Sequence, residues 1–72
     1  MPKIRFTDSE LKVIALRVNG VKPDQIATLL GFKRRKVNDI VSNVYRKTGV
    51  NSVVKLTLWA IENGLDQVPK AD

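Results

Sequence analysis

The stretch Pro23–Ser42, PDQIATLLGFKRRKVNDIVS, decides how this chain is read. Pro23 suits the first position of a helix, where its missing amide hydrogen would have no partner anyway, and Asp24 favours the positive end of the helix dipole. Ile26, Leu29 and Leu30 follow at helical spacing. Gly31 takes positive φ at little steric cost and ends the segment in a sharp turn. Beyond it, Val37, Ile40, Val41, Val44 and Thr48 fall on one side at a period near 3.6 residues, which predicts a longer helix from about Lys33 to Thr48. Helices joined this tightly cross steeply, and the second stands proud of the domain. Ile26, Leu30, Val37 and Ile40 then line the inside of the corner. Ala27 keeps the crossing close, because a larger side chain would push the second helix away.

The flanks supply two more helices. In Thr7-Asp8-Ser9-Glu10 the Thr7 hydroxyl can cap the third helical amide while Glu10 reaches back to the Thr7 amide. Val13, Ile14, Leu16 and Val18 give the following helix its apolar face, and Asn19-Gly20 stops it, so it should run from Asp8 to about Asn19. On the other side Gly49 closes the long helix, Ser52 can cap a last one, and Gly64 stops that near Asn63. The expected fold class is all-α: residues 1–6 as a short arm, 7–65 as a four-helix domain, and 66–72 as a polar tail containing Pro69.

Composition narrows the function. A chain of 72 residues has room for one modest core and no large internal pocket. With neither histidine nor cysteine, and only seven carboxylates, it has little from which to build a metal site or an acid–base pair. The expectation is therefore no catalysis, no metal and no cofactor. No apolar run approaches the roughly 20 residues that span a bilayer, and Met1 to Arg5 do not lead into a signal peptide, so the expected location is cytoplasmic.

The net charge of +6 points to an anionic partner. Almost all of it lies between Lys33 and Lys47, where Lys33, Arg34, Arg35, Lys36, Arg46 and Lys47 face a single carboxylate, Asp39. At about 100° per residue, Arg35, Asp39, Ser42 and Arg46 fall opposite the apolar stripe of the third helix, with Lys36, Asn38 and Asn43 on the shoulders. Four consecutive cations at a helix amino terminus oppose its dipole, each by about 0.3–1 kcal/mol. A phosphate backbone would reverse that sign. A membrane surface is a poorer match, because no apolar edge runs beside the basic face.

Taken together, Phe6-Thr7-Asp8-Ser9-Glu10, Gly20, Gln25-Ile26-Ala27, Leu29-Leu30-Gly31-Phe32, Val37, Ser42 to Lys47, Gly49-Val50 and Ala60 to Leu65 resemble the LuxR/GerE helix-turn-helix DNA-binding domain. The resemblance covers residues 6–65. It implies a nucleoid-associated transcriptional regulator that binds double-stranded DNA with its third helix in the major groove and dimerises through its fourth. By the same resemblance Asn38, Asp39 and Ser42 are base contacts, to which the helical projection adds Arg35. Lys36, Asn43, Arg46 and Lys47 look like phosphate contacts, and Lys22, Lys33 and Arg34 join them on charge. Met1 tips the expectation toward a free-standing GerE-like regulator rather than a piece of a longer chain.

Departures from the family pattern carry information. Lys33 stands where the family usually has a Ser or Thr cap, Lys36 where Thr is frequent, and Ile40 where His is frequent. Asp39 is the awkward one: it either accepts from a cytosine amino group in the groove or is neutralised or oriented by Arg35 or Asn43, at i−4 and i+4. In the fourth helix Val53, Leu56 and Ala60 form one stripe while Val54, Leu58, Ile61 and Leu65 form another. This predicts a dimer or partner surface at Val53, Val54, Leu58, Trp59 and Ile61, against the alternative that these residues complete the core. The rival to DNA binding is a module that docks on another regulator or on RNA polymerase.

Overall fold

The computed structural model describes residues 5–65. Among these are four helices and no strand: α1 Asp8–Val18, α2 Pro23–Leu30, α3 Arg34–Thr48 and α4 Val53–Glu62. The fold is all-α, as the sequence predicts. Helix α1 lies at the centre and packs against each of the other three, while α2 and α3 form the corner. The core is Val13 and Ile14 from α1, Ile26 and Ala27 from α2, Val37, Ile40 and Val44 from α3, and Leu56 and Ala60 from α4.

Local chemistry explains the boundaries. The Thr7 hydroxyl accepts from the Glu10 amide at 3.1 Å, and the Thr7 amide donates to Glu10 Oε1 at 2.8 Å, which closes the expected capping box. Asn19 caps the carboxyl end of α1 rather than extending it. Helix α2 opens on Pro23, with Gln25 Oε1 accepting from the Lys22 amide at 3.3 Å. It ends at Gly31 (φ 69°), where the Phe32 amide donates to the Ala27 carbonyl at 2.8 Å. A side chain at Gly31 would meet nothing within 4 Å, so glycine is required there by the left-handed backbone and not by lack of room.

Helix α3 begins one residue later than the periodicity suggests. Lys33 is its N-cap and makes no side-chain capping bond, because lysine has no acceptor to offer an amide. The Ser52 hydroxyl accepts from the Lys55 amide at 3.2 Å and starts α4, which gives way to Asn63 and then Gly64. Leu65, which the spacing groups with the outer stripe of α4, is instead half-buried and packs against the core. Its amide bonds the Ala60 carbonyl at 2.8 Å, folding the chain back over the helix end. The expected tail at 66–72 and the first four residues of the arm lie outside the described residues. Of the arm, Phe6 is half-buried and meets Trp59 edge-on, ring centroids 5.7 Å apart.

Ala27 is only 7% exposed at the α2–α3 corner. Ala27→Leu is expected to destabilise the domain by about 1–3 kcal/mol through overpacking, lowering the melting temperature by roughly 5–20 °C at this size. A thermal melt unchanged from the native one would mean the two helices do not meet at Ala27.

Candidate nucleic-acid interface

The amphipathic pattern of α3 decides what the domain presents. Val37 and Val44 are fully buried and Ile40 nearly so. That turns Arg35, Asn38, Asp39, Ser42, Asn43 and Arg46 outward, and all six are exposed. The buried stripe docks on α1 and on α2 at Ile26 and Ala27, so the outward face rides on a rigid base.

The cations around this face are held unequally. The Arg34 guanidinium pairs with the Asp24 carboxylate on α2, and both side chains are largely exposed. This bond ties the first turn of α3 to the first turn of α2 through their side chains. Neither N-cap lysine, Lys22 or Lys33, caps its helix through its side chain. The first-turn amides of α3, set among Lys33, Arg35 and Lys36 in the chain, suit an anion's oxygens. Lys36 Nζ lies 4.1 Å from the Phe32 ring centroid, fixed over the ring by cation–π attraction.

Lys47 sits differently. Its ammonium is 2.7 Å from Glu10 Oε1 and 3.0 Å from the Arg5 carbonyl, and 5.5 Å from the Phe6 ring centroid. Burial alone would push the Glu10 carboxyl up, but the bonds from Lys47 and from Thr7 outweigh it and hold it below the ordinary glutamate range. In the sequence Glu10 is legible only as half of a capping box and Lys47 only as an outward cation. Nothing local could have paired residues 37 apart. The Asp24 partner of Arg34 was missed for the same reason, whereas Phe32 under Lys36 was legible as an i, i+4 pair. Among the described residues neither Arg35 nor Asn43 makes an ion pair or hydrogen bond with Asp39.

On α4 the outer stripe is exposed, Val54 at 72%, Leu58 at 58% and Ile61 at 55%. Val53 is half-buried. Trp59, also half-buried, packs on the core and on Phe6; it divides its surface between core and solvent, so the core alternative holds for part of this residue. No helix among the described residues is long and apolar enough to cross a membrane. No three His, Cys, Asp or Glu side chains among them are grouped to hold a metal ion.

No protein-family model matches the chain, and no solved structure does. It is 35% identical over 65 residues to the response regulator Rre1 of Synechocystis sp., covering 90% of this chain and 28% of that protein. To the probable transcriptional regulator ycf29 of Cyanophora paradoxa it is 38% identical over 63 residues, 88% of the chain and 30% of the relative. The ycf29 of Pyropia yezoensis is 33% identical over 63 residues, 88% of the chain and 28% of its own length. The chain thus spans less than a third of the curated relatives it matches. All three are named as regulators, and none is named as an enzyme.

Proposed function

We propose that this chain is a sequence-specific, double-stranded-DNA-binding transcriptional regulator of the LuxR/GerE helix-turn-helix type, working as a homodimer at the nucleoid. The observation that carries this reading is the outward face of α3, polar and basic, seated on α2 through a packed corner. Arg35, Asn38, Asp39 and Ser42 face base edges in the major groove. Lys22, Lys33, Arg34, Lys36, Asn43 and Arg46 contact phosphates, which accounts for cations placed against the α3 dipole. Lys47 reaches the backbone only in so far as its ammonium leaves Glu10. Regulators among the relatives support the same reading.

Duplex binding measured as a function of salt tests it. Log affinity should fall linearly with log salt, with a slope of about −0.9 per phosphate contacted. Arg46→Ala is expected to weaken binding to all duplexes alike and to shallow the slope by about one unit, since Arg46 lies at the far end of α3 from the corner. A changed base preference would move Arg46 out of the phosphate set. The second reading, docking on another regulator or on RNA polymerase, is favoured by Leu29, 65% exposed on α2. It predicts no salt-dependent affinity for duplexes, with Leu29→Asp abolishing the protein contact.

A further inference from the structure

Arg35 and Asp39 lie one turn apart on the outward stripe of α3, and both are exposed. Opposite charges at i, i+4 usually meet, yet these two do not: neither has an ion pair or hydrogen bond among the described residues. The order explains it. With the cation amino-terminal to the acid, the pair opposes the helix dipole and is the weaker of the two arrangements. Three neighbouring cations, by contrast, have partners within the chain: Arg34 on Asp24, Lys36 on Phe32 and Lys47 on Glu10. Arg35 and Asp39 are thus one donor fork and one acceptor kept open side by side.

Resting on the reading that α3 enters the major groove, the chemistry of base edges names what this pair takes. Guanine offers two acceptors, O6 and N7, to a guanidinium fork. A carboxylate needs a donor without an adjacent acceptor, and only the cytosine amino group meets that; adenine sets N7 beside its amino group, and thymine presents O4. Four residues of helix rise about 6 Å, and base pairs stack about 3.4 Å apart, so the two readings fall no more than about two pairs apart. We propose that Arg35 reads a guanine and Asp39 a cytosine, within two base pairs of each other in each half-site.

Selecting sites from random duplexes with the full chain should recover that guanine and cytosine at this spacing. In the selected duplex, changing the cytosine to thymine should weaken the native chain by roughly 10- to 100-fold. Asp39→Asn should erase this discrimination and favour adenine there, since asparagine matches the adenine edge. Asp39→Ala should bind unrelated duplexes more tightly than the native chain does, because a phosphate-repelling charge is gone. Arg35→Ala should lose the guanine preference alone. Asp39 is exposed, so thermal melts of its variants should match the native one and keep folding out of the comparison. Selected sites without the cytosine, or an unchanged cytosine-to-thymine ratio in Asp39→Asn, overturn the proposal while leaving duplex binding intact. Absence of any sequence preference overturns the proposed function, and this inference with it.

Discussion

Replacing Lys47 with alanine is expected to destabilise the fold by about 3 kcal/mol at neutral pH, before any effect on a ligand is read. The Glu10 side chain is 6% exposed and that of Lys47 37%. Removing the ammonium leaves a buried carboxylate with the Thr7 amide as its remaining charge-stabilising contact. Stranding one partner of a buried pair costs about 3–5 kcal/mol, and the lower end applies because Lys47 reaches solvent. A chain of this size has roughly 4–11 kcal/mol of stability in all, so the loss is a large share. Glu10→Ala should cost less, about 2 kcal/mol, because the freed ammonium is rehydrated and only the capping bond and the pair itself are lost.

The pH dependence separates this pair from a simple loss of packing. In the native chain the folded Glu10 carboxyl titrates below its unfolded value. Its contribution to stability is therefore present above the ordinary glutamate value, about 4.3, and is lost as pH falls through the lowered folded value. In Lys47→Ala the ammonium that lowers it is gone while burial still pushes the carboxyl up, so acidification costs the variant less than the native chain. Urea unfolding at pH 7 and near pH 4 should show the gap between native and variant narrowing on acidification. A gap independent of pH would mean Lys47 acts through its aliphatic stem alone.

What the sequence made legible follows from range. Thr7 with Glu10, Pro23, Gly31 and Ser52 act over three or four residues, and each was readable because its effect is set by its neighbours in the chain. The core face of α3 was readable because Val37, Ile40 and Val44 repeat at the helical period. The pairs Lys47–Glu10 and Arg34–Asp24 were not, since each depends on where α1 or α2 lies against α3 and no period encodes that. Trp59 was divided for a related reason: periodicity assigns it to a flank of α4, and only the packing of Phe6 across it shows how much of the ring is covered. On the candidate interface the face was legible, whereas which cations have partners within the chain was not.

A charge placed on the outer stripe of α4 should abolish cooperative binding to paired half-sites while leaving the fold alone. Val54, Leu58 and Ile61 follow one another at i, i+4 and i+7, which makes a straight apolar seam on one side of the helix. A second copy can present the same seam in return, as two-fold symmetry requires. The seam is three side chains on a helix of ten residues, well short of the roughly 800 Å² per partner of a standard interface. Two copies, each carrying +6, also repel one another. Free in solution the dimer should therefore be weak, and DNA, by neutralising both copies and holding them close, should drive it. Bound to adjacent half-sites, the second copy gains about 10²- to 10⁴-fold from effective concentration. Leu58→Asp should remove that factor from a two-half-site duplex and leave affinity for a single half-site unchanged, with a melting temperature close to the native one because Leu58 is largely exposed. Equal losses on single and paired half-sites would mean that α4 does not join the two copies, and that its apolar seam faces something else.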